Sequence, residues 1–296
     1  MSNRDGEDNV PQRPRSSPTL EHRVVAKRLR RVREEVGRSV AQAAEAAGVA
    51  HTTVWRLEEA RTSIDLGLVE QLLTLYGLPP AERERLVDQA AAAARPGWWH
   101  QRYRPVMPRD YQEWIALESA ASLVRVWHPA LVPDLLQTPE YTAALYRARH
   151  PRHTPEQLDL AVELVAERQQ RLWQRQARLW AVVSVTALHT VIGSPEVMRA
   201  QHQALERLMA RPRVTFQVLP LSAGWHPLTG APPVRLLRLD VDEIGDQILL
   251  DLPGATTIIE APEQVATWRQ RLDAASAAAG FRRGATLADL IAPTTP

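Results

Sequence analysis

The chain has 296 residues, enough for two domains of ordinary size, and its net charge of +2 means that any nucleic-acid surface must be local. It has no cysteine, which excludes disulfides, thiolate metal sites and cysteine nucleophiles. Because no apolar run approaches the roughly 20 residues that span a bilayer, and the N-terminus lacks the apolar stretch of a secretion signal, we expect a cytoplasmic protein without a membrane partner.

Residues 1–18 are polar and rich in proline, and they are expected to form a disordered tail. Residues 19–95 predict an all-α domain of five short helices. The first helix, residues 21–36, has apolar side chains at helical spacing and many basic ones on its remaining surface. The apolar positions are Val25, Leu29, Val32 and Val36, and the basic ones are Arg23, Lys27, Arg28, Arg30, Arg31 and Arg33. Residues 66–76 and 80–95 predict the last two helices.

The run "SVAQAAEAAGVAHTTVWRLEEAR", residues 39–61, predicts two short helices joined by a tight turn. Ser39 is a good N-cap, Gly48 permits the left-handed turn, and the alanines between them let two helices cross closely. Val54 and Leu57 would face the core, which leaves an outer polar set: His51, Thr52, Thr53, Trp55 and Arg56. A helix-turn-helix would present such side chains to base edges. An ordinary helical hairpin has the same periodicity, so spacing leaves both interpretations open.

Residues 39–61, with "LVEQLLTLYGLPPAERERLVDQA" after them, resemble the xenobiotic-response-element class of helix-turn-helix regulators, relatives of the phage repressors. The resemblance implies double-stranded DNA as partner and a recognition helix whose base-reading positions match His51, Thr52 and Trp55, with Thr53 close by. Arg56 and Glu58 match positions that are often structural or phosphate-facing.

Basic residues near the start of the motif are the expected phosphate contacts, because phosphate binding requires charge. Arg38 at the motif entrance is the favoured one, together with arginines of the first helix, and Ser39 beside it is a further expected DNA-binding residue. The alternative is a solvated helix face on which those arginines pair with Glu34 and Glu35. A single motif reads few base pairs, so a homodimer with recognition helices about 34 Å apart is expected.

Three positions depart from the family pattern. Val40 stands where the family usually has a glutamine that braces a phosphate and a base-reading residue. Ala50 stands where a capping serine or threonine is common, and Trp55 replaces a small polar residue. We therefore expect Trp55 to stack on a sugar or pack on a thymine methyl group, and base readout to be modest.

The second region predicts an α+β domain with a mainly antiparallel sheet, residues 113–296, after a linker at residues 96–112 rich in proline and aromatic residues. Three helices are expected to begin at Thr-Pro-Glu or Ser-Pro-Glu, which places a capping hydroxyl before proline. Strand-like runs are "WAVVSVT", "VTFQVLP", "VRLLRL", "QILLDL" and "TTIIE". The fold class is therefore an N-terminal all-α five-helix helix-turn-helix domain followed by a larger α+β domain.

Catalytic patterns are sparse in this region. The histidines lack metal-ligand spacing backed by carboxylates, and no glycine-rich phosphate loop occurs. We therefore expect no enzymatic activity, no cofactor and no metal. Trp127, Trp225 and His226 lie in loop-like contexts and are, with Asp251, the candidates for lining a ligand pocket.

The runs "VRVWHPALVPDLLQTPEYTAALYRA", "FQVLPLSAGWHP" and "IIEAPEQVATWRQRLDAASAAA" resemble the uncharacterised domain that follows many actinobacterial helix-turn-helix regulators. That domain has been described only as a candidate ligand-binding domain. Family members often carry glutamate, tyrosine and glutamate where this chain has Val185, Leu249 and Asp251. Of the acidic positions, this chain keeps only Asp251.

The resemblance leaves three functions open. The first is a transcription regulator whose C-terminal domain senses a small ligand, which an apolar pocket with a few convergent polar groups would favour. The second is a regulator or antitoxin-like protein that binds a small partner protein encoded nearby, which a flat exposed apolar patch would favour. The third is a DNA-tethered nucleotide-modifying enzyme, which an arginine facing a carboxylate in a cleft would favour.

Overall fold

The computed structural model describes residues 18–252, 254–279 and 286–291. The chain divides into two compact units, residues 1–97 and 98–296. The tail predicted for residues 1–18 lies, except for Pro18, outside the described residues. Within the described part of the chain, no helix combines the length and the apolar character needed to cross a bilayer.

The first unit is all-α, as predicted. Its helices are α1 (Leu20–Glu35), α2 (Val40–Ala47), α3 (His51–Glu58), α4 (Leu66–Leu75) and α5 (Pro80–Ala93). Side-chain oxygens of Thr19, Ser39 and Asp65 cap α1, α2 and α4. The core is built from the apolar positions that the helical periodicity indicated, including Val25, Leu29, Val54, Leu57, Val69, Leu72 and Leu73.

Two positions of the first helix differ from the prediction. Val36 is 43% exposed because α1 ends at Glu35 and Val36 is already its C-cap. Arg33, predicted on the solvent side, is buried because its guanidinium pairs with the buried carboxylate of Glu58. Through this ion pair, Arg33 contributes to the packing of α1 against α3.

The turn between α2 and α3 has the predicted conformation. Gly48 has φ 67° and forms the left-handed C-cap of α2, a conformation that residues with a Cβ rarely adopt. Ala43 and Ala44 are buried where α2 packs, and their small side chains allow close approach of the helices. The chain therefore folds back over three residues into α3.

The second unit contains a six-stranded sheet and seven helices within the described residues. The strands are β1 (Leu123–His128), β2 (Arg178–Ser184), β3 (Val214–Leu219), β4 (Val234–Arg238), β5 (Gln247–Leu252) and β6 (Ala255–Ile259). The helices are α6 (Arg109–Glu118), α7 (Pro139–Arg149), α8 (Pro155–Gln174), α9 (Thr186–His189), α10 (Pro195–Met209), α11 (Pro262–Ala279) and α12 (Leu287–Ile291). Thr138, Thr154 and Ser194 cap α7, α8 and α10, as the Thr-Pro-Glu and Ser-Pro-Glu motifs predicted.

The sheet is mixed, which corrects the expectation of a mainly antiparallel one. Its strand order is β3-β2-β1-β4-β5-β6. β1, β2 and β3 are parallel, whereas β1 with β4, β4 with β5 and β5 with β6 are antiparallel. The physical reason lies in the connections: helices lie between β1 and β2 and between β2 and β3, so each crossover returns the chain to the same end of the sheet.

Part of the predicted linker belongs to the core of the second unit. Trp99, Tyr103, Val106 and Met107 are buried, and they pack in one apolar cluster with Ile115 and neighbouring side chains. Proline and glycine interrupt the periodicity in this segment, but its aromatic side chains bury large apolar areas. The segment is therefore packed structure rather than a spacer.

The two faces of the sheet have different roles. On one face Trp127, Leu236 and Ile248 pack in a cluster with Leu272 and Ala275 of α11. Because side chains alternate along a strand, their neighbours Val126 and Arg235 lie on the opposite face. That second face forms the floor of a cleft.

Candidate functional site

The outer face of α3 is polar and accessible. His51, Thr52 and Arg56 are exposed, and Thr53 is half-buried. Val54 and Leu57, on the inner face, are almost completely buried. The predicted outer set therefore shares one side of a helix whose apolar side is fixed in the core.

Trp55 is 38% exposed on this face, and Arg61 covers its ring. The guanidinium carbon of Arg61 lies 4.9 Å from the ring centroid, within cation-π range. Ala60 has φ 51°, a left-handed conformation that turns the chain back, and the Arg61 N–H donates to the Arg56 carbonyl at 2.7 Å. Sequence reasoning missed Arg61 because it lies beyond α3, and only the backbone reversal brings it over Trp55.

The entrance to the motif is held by hydrogen bonds. Ser39 Oγ accepts from the Gln42 N–H at 3.2 Å, and the Ser39 N–H donates to Gln42 Oε1 at 2.9 Å. The Ser39 hydroxyl thus serves as a helix cap. Arg38 is half-buried, and its carbonyl accepts from Arg33 Nη1 at 2.7 Å. This leaves the Arg38 backbone fixed at the start of α2.

A buried ion pair attaches α3 to α1. Arg33 Nε and Nη2 donate to the two carboxylate oxygens of Glu58, each at 2.8 Å. These bonds raise the pKa of Arg33. A two-point contact between planar groups restricts rotation of α3, so the pair orients the outer face of the helix.

Exposed arginines of α1 are engaged with carboxylates. Arg30 Nε lies 2.9 Å from Glu34 and Arg30 Nη1 lies 3.0 Å from Glu59, while Arg31 Nε lies 3.7 Å from Glu35. For Arg30 and Arg31 the structure thus has the paired helix face that the sequence left as the alternative to phosphate contact.

The first turn of α3 has no side-chain cap. Ala50 is its N-cap residue, with φ −66° and ψ 143°, and the structure gives it no side-chain hydrogen bond. Backbone N–H groups at a helix N-terminus carry partial positive charge and attract phosphate. The missing hydroxyl therefore weakens the helix but leaves these donors open to an anion.

A small cleft opens on the second face of the sheet in the second unit, with a cavity volume of about 50 Å³. Polar and charged groups make up half of its lining. The lining residues are Trp114, Val126, His128, Leu131, Val132, Asp134, Gln137, Leu145, Arg149, Pro233, Arg235 and Asp251.

Two arginines and two carboxylates form a network beside and within this cleft. Arg168 donates to both oxygens of Glu118 at 2.7 and 2.8 Å, and to Asp134 at 2.7 Å. Arg235 donates to Glu118 at 2.7 Å and also to Asp134. Burial alone would raise the pKa of Asp134, but the two arginines hold it well below its usual range. The four charges therefore cancel one another.

The predicted ligand-binding residues are placed in different environments. Asp251 lines the cleft. Trp127 is buried on the opposite sheet face, where its ring lies 5.3 Å from that of half-buried His226 in an edge-to-face contact. Trp225 is 80% exposed, as is much of Leu221 on the same loop. The structure brings together Trp127 and His226, but neither of them with Asp251.

No group of three or more histidine, aspartate or glutamate side chains is arranged to hold a metal ion within the residues that the structure describes. The arrangement thus consists of an exposed helix face in one unit and a charged cleft in the other.

Comparisons with known proteins identify both units. Residues 25–86 match a family model described as a helix-turn-helix domain. Residues 111–287, more than half of the chain, match a family model described as a domain of unknown function (DUF5753). No curated protein and no solved structure matches the chain.

Proposed function

Because this chain belongs to the DUF5753 family and carries a helix-turn-helix domain before that region, we propose that it is a DNA-binding transcription regulator whose second unit senses a small ligand. The helix-turn-helix domain supports the DNA-binding role. Sequence-specific readout, ligand sensing, homodimerisation and a cytoplasmic location are the further parts of the proposal.

The observation that carries the DNA-binding proposal is the outer face of α3. His51 and Thr52 lie in its first turn, where a recognition helix contacts base edges in the major groove. Arg56 and the Arg61–Trp55 pair add positive charge to the same helix. Since the whole chain is almost neutral, such a local concentration of arginine is what phosphate attraction requires.

The proposed binding role of the cleft is supported by the ion pairs that its charged groups form with one another. The guanidinium groups of Arg168 and Arg235 are engaged by Glu118 and Asp134, so these groups support the cleft wall. We propose that a ligand bound in this cleft changes the affinity of the protein for DNA.

Selection of DNA from a random duplex library with the full-length protein tests the function. We expect one enriched motif with two half-sites about one helical turn apart, which reflects a homodimer. Affinity should fall steeply with salt, and Arg38→Ala should weaken all sequences alike. No enrichment over a library passed without protein, at low salt, would contradict the proposal.

A further inference from the structure

The cleft of the second unit contains two opposite charges outside the four-membered network. Asp251 on β5 and Arg149 in the last turn of α7 both line it. In the described part of the chain, neither side chain has a hydrogen bond or an ion pair, and the two do not pair with each other. Each can therefore still bind an ion.

The environment of Asp251 favours a cationic partner. Burial raises the pKa of its carboxyl group; Arg235 lowers it and Asp134 raises it, with smaller opposing effects of Arg149, which lowers it, and Asp110, which raises it. A carboxylate in such surroundings has lost part of its hydration without gaining a donor in return. A protonated amine in the cleft would supply both the charge and the hydrogen bond.

His128 supplies a neutral donor to the same cleft. Its Nδ1 accepts from the backbone N–H groups of Ala130 and Leu131 at 3.2 and 2.9 Å. Two donors on Nδ1 place the remaining ring proton on Nε2. Burial and the nearby Arg235 lower the pKa of His128 to about 4, so the ring is neutral at pH 7. Its Nε2–H can donate to an anionic oxygen without adding charge.

The arrangement of charges in the cleft disfavours a ligand that carries only a positive or only a negative charge. The network of Arg168, Arg235, Glu118 and Asp134 sums to zero, and so do Asp251 and Arg149. A simple cation would meet Asp251 together with the repulsion of Arg149, and a simple anion would meet the reverse. A molecule with both charges satisfies both side chains.

Apolar side chains complete the wall of the cleft and can hold a short hydrocarbon group. They are Trp114, Val126, Leu131, Val132, Leu145 and Pro233. Binding pockets for small molecules commonly combine such a lining with a few polar groups that fix orientation.

We propose that the cleft binds a small zwitterion of the amino-acid type, with its ammonium group on Asp251 and its carboxylate on Arg149 and His128. The inference rests on the proposed ligand-sensing function, and it names the chemical class of the ligand.

The test uses the full-length protein and three compound series: the proteinogenic L-amino acids, the amines left by their decarboxylation, and the carboxylic acids left by removal of their amino group. Calorimetry with each compound measures binding. We expect at least one amino acid to bind. Its amine and acid counterparts should have an affinity at least about tenfold lower, because each loses one charge-assisted contact.

Variants assign the binding to the cleft. Asp251→Asn and Arg149→Gln should each weaken the bound amino acid about tenfold. Arg147→Gln, on the same helix turn and exposed outside the cleft lining, is the matched control and should bind as the wild type does. Circular dichroism melting of all three variants checks that the fold is retained.

DNA affinity, measured with and without the same compounds, separates this inference from the proposed function. If an amine or an acid binds as tightly as the amino acid and shifts DNA affinity, the proposal of a zwitterionic ligand is contradicted, but the proposal of ligand sensing is supported. An amino acid whose binding depends on Asp251 and Arg149 but does not shift DNA affinity would support the class and contradict sensing. If no amino acid binds, the inference is overturned.

Discussion

Arg61 lies over the indole ring of Trp55, with its guanidinium carbon 4.9 Å from the ring centroid. The contact adds a cation-π interaction to a tryptophan that is 38% exposed on the outer face of α3. It also brings a cation from beyond the helix to the face proposed to enter DNA. Trp55 thereby contributes a flat surface with a positive charge above it.

Arg61→Ala is expected to weaken binding to all DNA sequences alike, because phosphate attraction is independent of base identity. The slope of log affinity against log salt should become shallower by about one. Fluorescence anisotropy of a labelled duplex over a salt series measures both. Arg85→Ala, an exposed arginine on α5, is the control and should leave the slope unchanged. If Arg61→Ala changes neither the affinity nor the slope, Arg61 does not contact DNA.

Ala50→Ser should stabilise α3. The backbone of Ala50 already has the extended N-cap conformation, so a serine hydroxyl could accept from an N–H of the first turn. The expected gain is about 1 kcal/mol. Hydrogen exchange of the α3 amides in the full-length protein should slow by about fivefold. Ala46→Ser is the matched control, because residue 46 is exposed within α2 and is not an N-cap. This variant should not slow hydrogen exchange of the α3 amides. Equal exchange in both variants would contradict the capping argument.

Glu118→Ala should destabilise the second unit strongly. The change leaves Arg168, whose side chain is 1% exposed, and Arg235 without one of the two carboxylates that they share. Removal of one member of a buried ion network costs about 3–5 kcal/mol. Urea unfolding followed by near-ultraviolet circular dichroism measures the loss, and Glu140→Ala on the exposed start of α7 is the control. A loss below about 1 kcal/mol, the range of exposed ion pairs, would contradict the stabilising role of the buried network.

The stability of the second unit should depend on pH through His128. Its pKa in the folded chain is about 4, below the ordinary 6.5, so the unfolded chain takes up the proton first as pH falls. Stability should therefore decrease between pH 6.5 and pH 4, with His128 contributing up to about 1.4 kcal/mol per pH unit. His128→Asn keeps an oxygen acceptor for the backbone donors and removes the titration. Thermal melting of both proteins from pH 7 to pH 5 should show a smaller decrease in the variant, and parallel curves would contradict this assignment.

Helices and strands were predictable where one short segment determines its own structure. The hydroxyls of Thr138, Thr154 and Ser194 begin helices at the expected residues because capping depends only on the next three amide groups. The mixed sheet was not predicted, since strand direction depends on where each crossover returns. The second unit's buried charge network was also missed, because Glu118 and Arg235 are joined only by the tertiary fold.

The outward-facing side chains of α3 could be selected from the sequence because buried Val54 and Leu57 determine which side of the helix remains outside. Arg61 could not, since its position depends on the left-handed backbone at Ala60. Asp251 was selected with Trp127 and Trp225, but only Asp251 lines the cleft. Alternation along β1 directs Trp127 to the other face of the sheet, a fact that needs the strand register.

The most direct test of the account compares the base preferences of the wild-type protein with those of a His51→Ala and Thr52→Ala double variant, by selection from one random duplex library. Removal of both side chains from the first turn of α3 should change or erase the preferred bases in each half-site, while binding to nonspecific DNA stays within about twofold. An identical enriched motif from both proteins would contradict the assignment of α3 as the helix that reads DNA.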